Sequence, residues 1–181
     1  NLTNLFTLSL DNNQLTSLPS SLGTLRNLSI LSLDNNQLTS LPVEIGNLTY
    51  LDTLRLSNNH LTSFSDQLGN LSYLHHFDVH NNPGLSGPLP QWLLKFGLQF
   101  FDFSNTNFCE PADSGFQKWF TFISYLGRTH ITCLKLNVNF DVGAPGSQFT
   151  LTGTEFPPDS NTTLSVNGVV LGTMQPDANR Q

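Results

Sequence analysis

Charged residues are scarce in this sequence: they make up 11% of its 181 residues, and 7 basic side chains face 13 acidic ones. The resulting net charge of −6 argues against a nucleic-acid partner, because such proteins need a basic face to neutralise phosphates. No run of about 18 apolar residues is present, which predicts no membrane span within the sequence.

Motifs of catalytic or metal-binding character are also missing. The sequence has no GxSxG, no P-loop, no HExxH and no dinucleotide fingerprint. Its two cysteines, Cys109 and Cys133, lack CxxC spacing and are too few for a zinc site. We therefore predict no enzyme, no cofactor and no metal.

A motif of the form L-x-x-L-x-L-x-x-N-x-L fills the first part of the chain. It recurs every 23 residues, with one extra residue in the turn of the fourth copy and a degenerate fifth copy from Leu98 to Phe108. Such a period predicts a solenoid of stacked repeats. Residue 1 already lies inside a repeat, with no polar cap before it, so we expect a piece of a longer protein. The first leucines of the four clear copies are Leu5, Leu28, Leu51 and Leu74.

Each copy contains a short strand in which apolar and polar residues alternate, as in Leu8-Ser9-Leu10. One such strand cannot bury its leucines alone, but stacking the copies builds a parallel sheet over a continuous core. The asparagine of each motif stands where the chain leaves the strand. Its amide can bond backbone groups of neighbouring turns, which predicts a structural ladder of Asn13, Asn36, Asn59 and Asn82.

In these motifs residues 1–108 resemble the leucine-rich-repeat family. The resemblance implies an α/β solenoid, a horseshoe with a parallel β-sheet on its concave face. The convex side, which begins at Leu18-Pro19 and Leu41-Pro42, is expected to hold short helical turns or extended segments. In the fourth repeat, the stretch from Leu85 to Pro90 resembles the longer repeats of plant-type extracellular members. The mixed repeat types leave bacterial or plant origin open.

Residues 109–136 are predicted to cap the solenoid. Asp113 or Ser114 can cap the start of a helix that Gly127 can end, and a further strand is predicted at 131–136. Apolar residues follow the i, i+3, i+4, i+7 spacing of one helix face: Phe116, Trp119, Phe120 and Ile123.

This segment resembles the C-terminal caps of leucine-rich-repeat proteins, and a disulfide between Cys109 and Cys133 fits that resemblance. Two buried free thiols in a reducing compartment are the alternative. Residues 137–181 differ again. They resemble the opening of immunoglobulin-like domains of bacterial surface proteins, from Gly146 to Pro158, and Asn167-Gly168 predicts a tight hairpin. The segment is too short for a complete sandwich, which needs about 100 residues.

The concave face is the predicted binding surface, and its outward positions form three columns that follow from the repeat register. The first two repeats are alike there, whereas repeats three to five carry side chains capable of directional contacts. The candidate ligand-binding residues are Thr53, Arg55, Ser57, His76, Asp78, His80, Phe100 and Asp102. His76, Asp78 and His80 alternate along one strand and can share a face. They are equally well explained as ordinary surface residues, so no metal is assigned to them.

These features indicate a recognition module of a secreted or cell-surface protein, which binds a protein partner as a monomer. A structural spacer within a large adhesin or surface layer is the alternative, supported by the uniform first two repeats. A minor alternative is an ice- or glycan-binding surface built on rows such as Asp11-Asn12-Asn13 and Thr16-Ser17. The fourth and fifth repeats interrupt the regular array that such a surface needs.

Overall fold

A computed structural model describes residues 4–133 in full and, within residues 134–181, the backbone of four short strands. The chain forms two compact units, Asn1–Cys133 and Leu134–Gln181. No helix among the described residues is long and apolar enough to cross a membrane.

The first unit is a parallel-sheet solenoid, as the repeats predict. Its elements are β1 (Thr7–Ser9), β2 (Ile30–Ser32), β3 (Thr53–Arg55), β4 (His76–Asp78), β5 (Ser86–Pro88), β6 (Phe100–Asp102), β7 (Asn107–Cys109), α1 (Ser114–Phe120) and β8 (Tyr125–Gly127). Six of the three-residue strands form one parallel sheet in the order β1-β2-β3-β4-β6-β8, and β5 pairs with β7 in a second, two-stranded parallel sheet.

The opposite, convex side consists of short 3-10 helices, one of the two forms expected there. They span Ser20–Thr24, Val43–Asn47, Asp66–Asn70 and Gln91–Lys95. Each follows a residue in extended conformation, which is proline in three of the four cases. Glycine is required at Gly23, because a Cβ there would overlap the backbone carbonyl of Glu44 in the next repeat.

The core runs the length of the stacked repeats and changes composition along it. In the second and third repeats leucines such as Leu31 and Leu54 are fully buried at the centres of their strands. In the fourth and fifth repeats phenylalanines take those positions, and the rings of Phe77 and Phe101 stack 5.7 Å apart. Burying each of these side chains contributes roughly 1.5–3 kcal/mol.

Asparagine amides connect neighbouring repeats along the edge where the chain leaves the strands. Asn59 Nδ2 donates to the Leu33 carbonyl of the preceding repeat at 2.9 Å, and its Oδ1 accepts from Leu38 N at 2.9 Å. Asn36 and Asn82 make the equivalent pairs of bonds. Asn13 donates only to carbonyls of its own turn, Leu10 and Asp11.

A second series of asparagines, immediately before the first, was missed by the sequence reasoning. The residues adopt the left-handed conformation, with φ between 54° and 57°. Asparagine tolerates this conformation better than other non-glycine residues. The recurring Asn-Asn pair is the signal that could have revealed it. These residues are Asn12, Asn35, Asn58, Asn81 and Asn105.

The helix predicted within residues 109–136 is shorter than expected. Asp113 caps it by accepting hydrogen bonds from Gly115 N and Phe116 N, but it ends at Phe120 and not at Gly127. Gly127 lies in β8, because the chain returns to the sheet to pair with β6. The four residues of the predicted apolar face are all buried: Phe116, Trp119, Phe120 and Ile123.

The prediction of a strand at 131–136 is wrong for residues 131–133, the part of that range that the structure describes. The sheet already has its sixth strand at β8, and Thr132 makes only an isolated parallel bridge to Glu110. Residues 134–136 lie outside the described residues.

A disulfide joins Cys109 to Cys133, with the two Cα atoms 4.8 Å apart. Beside it, Arg128 forms an ion pair with Glu110.

The second unit contains two antiparallel strand pairs. Asn137–Val138 pairs with Leu151–Thr152, and Thr162–Val166 pairs with Val169–Met174. The second pair flanks Asn167-Gly168 in the direction that the predicted hairpin requires. Most of the sequence with an immunoglobulin-like resemblance lies outside the described residues.

Candidate functional site

One column of the concave face ends in three stacked aromatic rings. The parallel register places His76 beside Phe100 and Phe100 beside Tyr125. The ring centroids of His76 and Phe100 are 4.0 Å apart, those of Phe100 and Tyr125 are 4.4 Å apart, and both pairs are within 6° of parallel. We call His76, Phe100 and Tyr125 the ring column. Its outer member, Tyr125, is 51% exposed.

The neighbouring column carries two buried carboxylates, Asp78 and Asp102, which are adjacent in the β4–β6 register. Asp102 Oδ1 accepts from Ser104 N at 2.9 Å and from Ser104 Oγ at 2.6 Å. Tyr125 OH donates to Asp102 Oδ2 at 3.3 Å, which connects this column to the ring column. The Asp102 carboxylate occupies the space over Gly127, where any Cβ would overlap it.

The remaining concave side chains are held by short polar contacts. Arg55 pairs with the buried carboxylate of Asp34 at 2.7 Å. His80 Nδ1 lies 2.7 Å from Asp78 Oδ1, and the same oxygen accepts from His80 N at 3.2 Å. The acidic and basic groups of this face are therefore held in place before any partner arrives, which lowers the cost of ordering them on binding.

Two side chains of the ring column, His76 and Tyr125, have shifted pKa values. Burial lowers the pKa of His76 below 6.5, aided by the nearby positive charge of Arg55 and opposed by the carboxylate of Asp78. The His76 ring is therefore mostly neutral at pH 7. The negative charge of Asp102 raises the pKa of Tyr125 above 10.0, so its hydroxyl stays protonated and available as a donor.

Asp78, His80 and Asp102 are the described residues whose potential metal-ligand atoms come together, all within 4.8 Å of one another. One oxygen of each carboxylate is already bonded within the protein, to His80 and Ser104 respectively. These bonds account for the arrangement without an ion. His76, which the sequence placed beside this group as a possible ligand, stacks on Phe100 instead.

The eight candidate residues lie on β3, β4 and β6 or just after β3 and β4. They are not equally accessible: Ser57, Asp78 and Asp102 are buried, Arg55 is exposed, and the other four are half-buried. Sequence reasoning missed Tyr125, because the pattern around it was assigned to the end of the helix. The alternation of Tyr125, Leu126 and Gly127 is the signal that could have identified it.

Comparison with known proteins gives a consistent result. The sequence matches the family described as leucine-rich repeat region over residues 1–95. No curated protein matches it. Among solved structures, a leucine-rich-repeat protein of Leptospira interrogans is 28% identical, with a TM-score of 0.55, over 70% of this chain and 37% of that one.

A plant structure is also similar. It is the ectodomain of the Arabidopsis thaliana receptor kinase GASSHO1/SCHENGEN3 in complex with Casparian strip integrity factor 2, 33% identical, with a TM-score of 0.62, over 72% of this chain and 16% of that one. An internalin of Listeria monocytogenes, at 23% identity and a TM-score of 0.57, shares the fold over 72% of this chain and 44% of its own. The chain thus spans less than half the length of each of these three proteins.

The family match covers more than half of the sequence, and the stacked parallel strands with their asparagine ladder are the structure that such repeats build. This protein belongs to the leucine-rich repeat family.

Proposed function

We propose that this chain is a protein-recognition module of a secreted or cell-surface protein, and that its partner binds the concave face over β3, β4, β6 and β8. The observation that carries the proposal is the ring column beside two buried carboxylates. Aromatic side chains held rigid next to directional polar groups are typical of the energetic centres of protein interfaces.

The contrast between repeats supports recognition over a spacer role. At the positions of the ring column, the first three repeats carry Thr7, Ile30 and Thr53. A spacer has no need of stacked rings or of buried carboxylates on a solvent-facing sheet, since burying a charge costs free energy. The same irregularity weighs against an ice- or glycan-binding surface, which needs a uniform array.

The complex of the plant receptor kinase ectodomain with Casparian strip integrity factor 2 is a precedent within the family for recognition by such repeats. The cap disulfide supports an oxidising location outside the cell. For residues 137–181 we propose an immunoglobulin-like segment that spaces the solenoid from a surface.

A capture experiment tests the proposal. The chain is immobilised and exposed to surface fractions of candidate host or neighbouring cells, alongside a variant in which Phe100→Ser and Tyr125→Ser remove two stacked rings. The matched control is Tyr50→Ser with Tyr73→Ser, which removes two exposed rings 5.7 Å apart that lie in the loops before β3 and β4.

We expect a partner that the parent and the control retain and the ring-column variant loses. A second variant, with Arg55, His76, Asp78 and Phe100 all changed to Ser, should lose it as well. Equal capture by every folded variant, or capture by none including the parent, contradicts recognition through this face and favours the spacer.

A further inference from the structure

Negative charge is concentrated on the concave sheet. The strands of the six-stranded sheet, with the two residues on either side of each strand, carry five aspartates and two arginines, whereas the rest of residues 4–133 carries four acidic and three basic residues. With histidine neutral, the sheet set therefore carries three of the four net negative charges of this region, and its second arginine, Arg128, is already paired with Glu110. The sheet set is Asp11, Asp34, Asp52, Asp78, Asp102, Arg55 and Arg128. The other set is Glu44, Asp66, Glu110, Asp113, Arg26, Lys95 and Lys118.

The uncompensated charge is concentrated beside the ring column. Arg55 neutralises Asp34 at 2.7 Å. Asp78 and Asp102 stand on adjacent strands with no arginine or lysine paired to them among the described residues. Asp102 is one strand further from Arg55 than Asp78 is.

Resting on the proposed function, we infer that the partner presents an arginine-bearing segment whose guanidinium group binds across Asp78 and Asp102. A planar guanidinium with five donors can meet two carboxylates one strand spacing apart, about 4.8 Å. Its aliphatic stem packs along the ring column. Lysine has a single charged centre and satisfies the two carboxylates less well.

The hydrogen bonds already present are compatible with this ligand. The bonds that Asp78 accepts from His80 both end on Oδ1, so the ligand meets the Oδ2 side of that carboxylate. Asp102 Oδ2 accepts only a long bond of 3.3 Å from Tyr125, which a charged donor can displace or share. Neutral His76 adds no repulsion.

The test is titration of the full chain, followed by NMR, with three blocked peptides: hexa-arginine, hexa-lysine and hexa-glutamate. The variant is Asp78→Asn with Asp102→Asn, in which each side chain keeps its size and an acceptor oxygen. The matched control is Glu44→Gln with Asp66→Asn, which removes the same charge from the convex side. Zinc and calcium chloride are titrated separately.

We expect hexa-arginine to shift the Phe100 and Tyr125 ring signals. Its affinity should fall about tenfold or more in the concave variant and less than about twofold in the control. Hexa-lysine should bind several-fold more weakly, and hexa-glutamate should not bind. Equal losses in both variants would reduce the effect to diffuse electrostatics and overturn the proposal. Equal binding of lysine, or binding of the metals alone at Asp78, His80 and Asp102, would do the same.

The outcome is separable from that of the proposed function. If a captured partner depends on Phe100 and Tyr125 but binds the Asp78→Asn, Asp102→Asn variant unchanged, recognition through the face stands and the arginine inference fails. If hexa-arginine binds as expected but no partner depends on the ring column, the proposed function fails instead.

Discussion

Replacing Asn59 by alanine should cost more stability than its small change in volume suggests. The side chain is 2% exposed and makes two hydrogen bonds to the preceding repeat: Nδ2 donates to the Leu33 carbonyl, and Oδ1 accepts from Leu38 N. Nδ2 also donates to the Leu56 and Ser57 carbonyls of its own turn. Alanine leaves the buried Leu38 N–H without a partner, whereas the Leu33 carbonyl keeps the bond that Asn36 Nδ2 donates to it at 3.1 Å. An unpaired buried group costs about 1–3 kcal/mol, and the lost Nδ2 bonds add about 1 kcal/mol. We therefore expect Asn59→Ala to lower the free energy of unfolding by about 2–4 kcal/mol.

The measurement is urea unfolding followed by circular dichroism, with the slope against urea checked for a change in the unfolding unit. Asn13→Ala is the matched control, because Asn13 is exposed and bonds only its own turn. We expect it to cost less than about 1 kcal/mol. If Asn59→Ala costs no more than Asn13→Ala, the bonds between repeats do not hold the stack together and the reasoning is refuted.

Three further predictions concern the region from Cys109 to Cys133 and the concave face. Gly127→Ala should lower the melting temperature, because its Cβ would overlap the carboxylate on β6, whereas Gly97→Ala, with open space around it, should change it little; equal effects would contradict the close approach. The pKa of His76, measured by NMR, should lie below 6.5, and Asp78→Asn should lower it further by removing a charge that raises it. Because the unfolded state then binds more protons, His76 should reduce stability as the pH falls from 6.5 towards its folded pKa; a rise in stability over that range would show the opposite shift. Reduction of the cap disulfide should destabilise the first unit by about 3 kcal/mol, detectable as a lower melting temperature, and an unchanged value would show that the bond adds nothing.

Much of the solenoid could be predicted from the sequence because its elements are defined locally. The spacing from Leu5 to Leu74 set the number and period of the repeats, and the alternation in each set the inward face of each strand. The prediction failed where two patterns overlapped. Phe116 to Ile123 fits a helix face, but the next residues, Tyr125 to Gly127, also alternate as a strand, and local spacing gave no reason to end the helix at Phe120.

The sequence predicted which residues share the concave face, but not which of them are buried or in contact. The repeat register correctly aligned His76 with Phe100 and Asp78 with Asp102. It could not tell that Asp78 and Asp102 are buried, because burial on this face depends on the rings and loops of the adjacent strands. Tyr125 was missing from the predicted site for the same reason that β8 was missing from the predicted sheet.

By itself, the sequence determined the period, the parallel stacking, the asparagine ladder and the identity of the outward columns. All of these follow from residues that repeat at a constant spacing, so that each copy specifies the same contacts with the next. Only the tertiary structure decided where the helix stops, that the chain adds a sixth strand, and how closely Tyr125 approaches Asp102. Those features arise after the fifth copy, where the repeated spacing ends and the residues match no earlier copy, so local spacing does not specify their neighbours.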